Sequence, residues 1–169
     1  SCFSAQKGKL YNNHVMFVGR AVNGWGSEFN LENIDSNLLL ENLFSSLPNN
    51  DCPLGWLESS WGSKDKDEYN PNKSAFWRVI KQISKNINGL DSSHHWSSKI
   101  IWSNLYKIAP SLGGNPNDGL CNAQFNACNE LLKAEIREFK PKYIVFLTGY
   151  NWFDGFLSES ISLTKTNNT

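Results

Sequence analysis

Three short apolar runs, each followed by a loop of glycine or polar residues, constrain the fold of this chain most strongly. They cover residues 14–19, 99–103 and 143–147. Each run has the length and composition of a strand that is buried on both faces. Segments with helical spacing lie between the runs, which predicts right-handed connections between parallel strands. We therefore predict an α/β fold, a three-layer α/β/α sandwich around a mostly parallel sheet.

The spacing of apolar residues predicts four helices. The first carries the leucines of residues 38–47, and the second follows Ser74 and ends at Asn88. The third has its apolar stripe in residues 125–139, and a short fourth helix covers residues 152–157. The polar segment between the first two helices, residues 48–72, is predicted to be a long structureless loop.

The length of the chain and the balance of its charged residues limit the class of protein. The 169 residues fit one domain, and no linker or internal repeat divides them, so we expect residues 1–169 to form a single α/β domain. Lys and Arg equal Asp and Glu at 16 each, which argues against coating of nucleic acid through bulk charge. No signal peptide or transmembrane segment is recognisable, so we expect a cytoplasmic protein without a membrane partner. We also expect the protein to be a monomer.

The loop of residues 19–26 (GRAVNGWG) is the first candidate site. Ligands of open parallel sheets bind at the carboxyl ends of the strands, so this loop should meet residues 104–107 and 148–151 there. Its glycines allow close approach of a ligand, Asn23 offers a donor and an acceptor, and Trp25 offers a stacking face. The loop matches neither a P-loop nor the dinucleotide fingerprint. A tight turn, which also needs Gly and Asn, is the alternative interpretation.

Asn104 is the second candidate, because it stands where the second strand ends. Its amide carries both a donor and an acceptor, as reading the edge of a base requires. A turn-capping role is the alternative. Thr148 opens the third loop and is included among the ligand-binding candidates. The histidines and cysteines form no metal-binding pattern, so we predict no metal ion and no cofactor.

Three segments together resemble the uracil-DNA glycosylase superfamily: VMFVGRAVNGWG, IIWSNLYKIAPSLGGNP and CNELLKAEIREFKPKYIVFLTG. The first is similar to family patterns such as G-M-N-P-G-P-x-G. The second is similar to I-x-x-T-N-x-x-K-x-x-P with a trailing G-N, and the third to a helix-Pro-strand-Gly pattern. Their order and spacing carry the resemblance, which runs from His14 to Gly149.

The resemblance implies a role in DNA repair. The family hydrolyses the N-glycosidic bond of a damaged or misplaced base after flipping it into a pocket. By this resemblance Gly19 opens the first motif, Asn104 hydrogen-bonds the base edge, and Trp25 or Phe29 stacks on the base. The partner would be DNA or a nucleotide base, and the reaction would need no metal.

The chain departs from the family at two points. Arg20 and Ala21 occupy the position of the acid or amide that orients water, so Asn23 becomes the best catalytic candidate. No histidine lies beyond His95, and the family continues to a fourth strand, so we expect either that a C-terminal strand is lacking or that the leaving-group machinery is absent. Three hypotheses stay open: a glycosylase-like hydrolase, a non-catalytic nucleotide or nucleic-acid binding module, and an unrelated flavodoxin-like nucleotide binder.

Overall fold

A computed structural model of the chain describes residues 4–22, 52–88, 95–110 and 112–158. The strands are β1 (Gln6–Lys7), β2 (Val15–Gly19), β3 (Ile100–Asn104) and β4 (Tyr143–Phe146). The helices are α1 (Trp56–Ser59), α2 (Ala75–Asn88), α3 (Asp118–Phe139) and α4 (Tyr150–Phe153), and 3-10 turns cover Pro71–Lys73 and Ser97–Lys99. These residues form a mixed α/β fold.

The four strands form one sheet in the order β1-β3-β2-β4. β2 pairs in parallel with both β3 and β4, which confirms the predicted mostly parallel sheet. β1 was not predicted, and it pairs antiparallel to β3 with Gln6 opposite Trp102 and Lys7 opposite Ile101. Its two residues have no apolar pattern that would predict a strand. Only their backbone pairing with β3 places them in the sheet.

Strand β2 forms the centre of the core. Val15 and Phe17 pack on one face of the sheet, and Met16 and Val18 pack on the other. All four are fully buried, as the continuous apolar run predicted. The same expectation for the third run is wrong, because Tyr143 is 47% exposed and the rest of β4 is only partly buried. Within the described sheet β4 pairs on one side only, which leaves it at an edge.

Helices cover both faces of the sheet. Trp77 and Ile80 of α2 pack with α1 against the face that carries Phe17. Cys128 and Leu132 of α3 pack against the opposite face, together with buried residues of α4 and of the segment that follows α4. The predicted layering of helices around a mostly parallel sheet is therefore present in the described part of the chain. None of its helices is long and apolar enough to cross a membrane.

The helix boundaries follow local chemistry. α2 agrees with its prediction. α3 begins earlier than its predicted apolar stripe, because the side chain of Asn117 accepts a hydrogen bond from the backbone N–H of Leu120 at 2.9 Å and caps the helix. It ends at Phe139, where Lys140 adopts a left-handed conformation with φ of 45°. The helix predicted in residues 38–47 lies outside the described residues.

The prediction of a structureless loop over residues 48–72 is wrong for its described part. That part contains α1, and Leu54 and Leu57 are fully buried in the core. The Glu58 carboxylate accepts hydrogen bonds from the backbone N–H and the hydroxyl of Ser97, at 3.0 and 2.9 Å. The polar composition of the segment concealed these two leucines and this long-range anchor.

Candidate functional site

A cavity of about 670 Å³ opens at the carboxyl ends of β2 and β3. Gly19 and Asn104, the last residues of these strands, both line it, as do Arg20 and Ala21 from the following loop. Leu147, which directly follows β4, also lines it. The cavity therefore lies where open parallel sheets bind their ligands.

The amide of Asn104 is the unusual polar group of this cavity. The side chain is 1% exposed, and its Nδ2 has no hydrogen-bond partner within the described structure. A buried donor left without an acceptor costs about 1–3 kcal/mol.

Gly19 and Asn104 occupy opposite positions in the register of β2 and β3. A Cβ atom on Gly19 would collide with Oδ1 of Asn104 and would lie 3.2 Å from the ring of Phe76. Pairing continues past the strands, because Leu105 N–H donates to the Gly19 carbonyl at 2.8 Å. Tyr106 N–H likewise donates to the carbonyl of the residue after Gly19, at 2.9 Å. The absence of a side chain at residue 19 thus makes room for the amide.

Aromatic rings form one wall of the cavity. Ring centroids of Trp56 and Tyr69 lie 6.0 Å apart, those of Trp56 and Trp77 5.7 Å, and those of Trp77 and Trp102 4.8 Å. Each contact is edge-to-face, the favourable arrangement for aromatic pairs. Phe76, whose centroid is 4.9 Å from that of Trp77, completes the group. We call these five residues the aromatic wall.

The aromatic wall consists of residues other than the stacking residues predicted from the sequence. Trp25 and Phe29, the predicted stacking residues, lie outside the described residues, as does Asn23, the predicted catalytic residue. The signal for the wall was the number of tryptophans, seven in the chain. Three of them line the cavity: Trp56 from α1, Trp77 from α2 and Trp102 from β3.

Arg20 is exposed at the cavity and turns toward the loop after β4. Its Nε donates to the backbone carbonyl of Thr148 at 2.6 Å, and its guanidinium carbon lies 5.4 Å from the ring centroid of Trp152. Thr148 itself is 1% exposed and is not among the cavity-lining residues. The structure thus brings four predicted residues to one cavity: Gly19, Arg20, Ala21 and Asn104. Thr148 does not line the cavity and is connected to it only by the hydrogen bond from Arg20.

The described side chains that line the cavity carry amides, hydroxyls, indole N–H groups and one guanidinium. Apart from the tryptophans, sequence reasoning missed four polar lining residues, Gln6, Tyr69, Ser74 and Asn115. Asn115 follows Gly113 and Gly114, whose φ angles of 89° and 85° suit glycine and turn the chain toward the cavity. No Asp or Glu is found among the described lining residues. Their chemistry is therefore hydrogen bonding and stacking without a carboxylate.

Behind Asn104, on the opposite face of the sheet, lies a buried ion pair. Lys107 is 1% exposed, and its Nζ donates to both carboxylate oxygens of Glu135, at 2.9 and 2.8 Å, and to Ser103 Oγ at 2.7 Å. Gln124 Oε1 accepts from the backbone N–H of Lys107 at 3.1 Å. Because Ser103 and Lys107 flank Asn104 in the chain, this network holds the segment that carries the amide.

Comparison with known proteins found no matching protein-family model, curated protein or solved structure. Three features define the cavity: the buried amide of Asn104, the aromatic wall, and the exposed guanidinium of Arg20.

Proposed function

We propose that the chain is a uracil-DNA-glycosylase-like protein that binds a nucleobase in the cavity. The observation that carries this proposal is the buried Nδ2 of Asn104, which has no hydrogen-bond partner among the described residues and lies beside the aromatic wall. A nucleobase has both features that such a cavity recognises, a flat ring for stacking and an edge with hydrogen-bond acceptors. Stacking of a base on an aromatic side chain contributes about 1–3 kcal/mol.

The orientation of the Asn104 amide, with its acceptor and donor at different ends, specifies which edge of the base is bound. Oδ1 of Asn104 lies on the side of Gly19, and Nδ2 is the atom without a partner within the described residues. A ligand must therefore present an acceptor, either a carbonyl oxygen or an unprotonated ring nitrogen. Trp102 lies two residues before Asn104 on the same strand and so on the same face of the sheet. One base can thus contact both side chains.

The reaction we propose is hydrolysis of the N-glycosidic bond of an altered base in DNA. Its support is that Gly19 and Asn104, which belong to the first two family-like segments, line one cavity. In this proposal Asn23 orients the attacking water. Catalysis would combine positioning with electrostatic stabilisation of the departing base, and the described residues supply hydrogen-bond donors for that purpose.

A second candidate function, a non-catalytic nucleotide or nucleic-acid binding module, has an observation of its own. No carboxylate is present among the described residues of the cavity wall, and Arg20 and Ala21 stand where the family has its acid or amide. Such a cavity would retain the base without activating water. The two candidates share the bound base and differ only in turnover.

Binding is tested by titrating the protein with uridine and inosine and following the tryptophan fluorescence of the aromatic wall. We expect saturable binding that is at least about tenfold weaker in Asn104→Ala, because a hydrogen bond to a buried donor is lost. Asn126→Ala is the matched control, since Asn126 is an exposed residue of α3 outside the cavity. Equal affinities in the two variants would refute the assignment of Asn104.

Turnover is tested with oligonucleotides that contain uracil or hypoxanthine, single-stranded and in duplexes. Abasic product that disappears in Asn104→Ala and persists in Asn126→Ala would support the hydrolase. Saturable binding without abasic product would favour the binding module. Failure of every base, nucleoside and oligonucleotide to bind would eliminate both candidates.

A further inference from the structure

We propose that Arg20 forms an anion subsite at the cavity, which binds a phosphate of the nucleotide whose base occupies the cavity. This inference rests on the proposed function and adds the substrate class, a nucleoside phosphate rather than a free base. It starts from the position of Arg20, which directly follows Gly19, the residue opposite Asn104 in the sheet. Arg20 and Asn104 therefore reach the same cavity from neighbouring positions.

The guanidinium of Arg20 is held in one orientation. The Thr148 carbonyl accepts from Nε at 2.6 Å, and the Trp152 ring lies 5.4 Å from the guanidinium carbon. Guanidinium has five N–H donors, and among the described residues only Nε has an acceptor, which leaves the four N–H groups of the two Nη atoms for a ligand. Pre-orientation lowers the conformational entropy that a flexible arginine loses on binding.

The charge of Arg20 is not neutralised by an ion pair within the described residues. The ion pairs found there join Lys107 to Glu135, Lys133 to Glu130 and His95 to Glu58. The lining residues described for the cavity include no carboxylate that would repel an anion. Since Arg20 is exposed, a charged ligand can reach it without burial of an unpaired charge.

Phosphate is the anion that best fits this arrangement. The planar guanidinium of arginine donates hydrogen bonds to two oxygens of one phosphate at once. The directional hydrogen bonds therefore add specificity to the electrostatic attraction. A nucleotide joins such a phosphate to a flat base through one sugar, so one ligand can satisfy Arg20 and Asn104 together. The phosphate comes either from a free nucleotide or from a nucleic-acid strand, and these sources can be separated experimentally.

The first experiment compares uridine with its 5′- and 3′-monophosphates on the wild type, Arg20→Gln and Arg137→Gln. Arg137 is exposed on α3, outside the cavity, and serves as the matched control. We expect one monophosphate to bind about tenfold more tightly than uridine to the wild type and to Arg137→Gln. Within Arg20→Gln the gain from phosphate should be lost, so that this variant binds uridine and the monophosphate with equal affinity.

Failure of this inference can be distinguished from failure of the proposed function. If uridine binds but neither monophosphate binds more tightly, the anion subsite is refuted while the base site stands. The same holds if Arg20→Gln retains the full gain. If uridine and inosine do not bind at all, the base site is refuted, and the nucleotide assignment of Arg20 is refuted with it.

The second experiment identifies the source of the phosphate. Short single-stranded oligonucleotides are compared with versions in which an uncharged methylphosphonate replaces the phosphate next to the target base. If the strand is the source, the methylphosphonate should weaken binding to the wild type and leave Arg20→Gln unaffected. The slope of log affinity against log salt should then fall by about 0.7 in Arg20→Gln. If the free nucleotide is the source, the monophosphate should bind more tightly than the oligonucleotide.

Discussion

The ammonium group of Lys107 and the carboxylate of Glu135 form an ion pair inside the core, with Nζ within 2.9 Å of both oxygens. Glu135 also accepts from the backbone N–H of Ala5 at 2.9 Å and from the hydroxyl of Ser103 at 2.7 Å. Burial of such a pair brings little net stability, because both charges lose their hydration. The ion pair instead fixes the relative positions of α3, β3 and the N-terminal segment, which its hydrogen bonds connect directly behind the cavity.

Lys107→Met should therefore destabilise the protein by about 3–5 kcal/mol, because Glu135 would remain buried without its partner. Urea unfolding monitored by circular dichroism measures this change. Lys133→Met is the matched control, since Lys133 pairs with Glu130, whose side chain is 66% exposed. Surface pairs contribute less than about 1 kcal/mol, so equal losses in the two variants would contradict the prediction.

Gly19→Ala should lower both ligand affinity and stability, the latter by about 1–3 kcal/mol, because the new methyl group displaces the Asn104 amide. Thermal unfolding and uridine titration measure the two effects. Gly119→Ala is the control, since its nearest atom, Asn117 Oδ1, would lie 3.5 Å away, and alanine favours the helix there. A Gly19→Ala variant as stable and as active in binding as Gly119→Ala would oppose this prediction.

Asn104→Leu should separate stability from binding. Leucine has nearly the shape of asparagine and removes a buried donor that lacks an acceptor among the described residues, so the free energy of unfolding without ligand should rise by about 1–3 kcal/mol. Uridine binding should be lost in the same variant. Urea unfolding in the absence and presence of uridine tests both parts, and a decrease in stability would show that the amide is satisfied in the free protein.

Alkaline pH should destabilise the fold through its buried tyrosines. Burial raises the pKa of Tyr106 to about 12 and that of Tyr11 to about 12. In the unfolded chain tyrosine loses its proton near a pKa of about 10. The unfolded state therefore releases protons first, and stability declines as the pH rises from about 10 to about 12. Urea unfolding across this range should show a smaller decline for Tyr106→Phe, and an equal decline would contradict the role of Tyr106.

The central strands were predictable because their apolar runs are continuous and end in polar loops. Val15 to Gly19 shows this pattern, and the parallel arrangement then placed Gly19 and Asn104 at the same edge. β1 was not predictable in this way. Its Gln6 and Lys7 carry no apolar signal, and only pairing with a strand far along the chain makes them extended.

The aromatic wall was not predictable for a different reason. Trp77 fits the apolar stripe of α2, and it is indeed 4% exposed, so its sequence pattern indicates a core residue. Trp56 and Tyr69 belong to a segment whose polar composition predicted a loop. Packing of α1 against α2 brings the ring of Trp56 to the cavity, and the ring of Tyr69 lies there through its contact with Trp56. The predicted residues Asn23, Trp25 and Phe29 lie outside the described part of the chain.

The steric exclusion between residue 19 and the amide of residue 104 has an evolutionary consequence. Because one Cβ atom and one amide oxygen compete for the same space, the two positions cannot vary independently in homologous chains. A homologue that acquires a side chain at the first position must shorten the second, and with it abandon the donor that selects the ligand. Paired substitution at these two positions would thus mark the lineages in which the specificity of the cavity has changed.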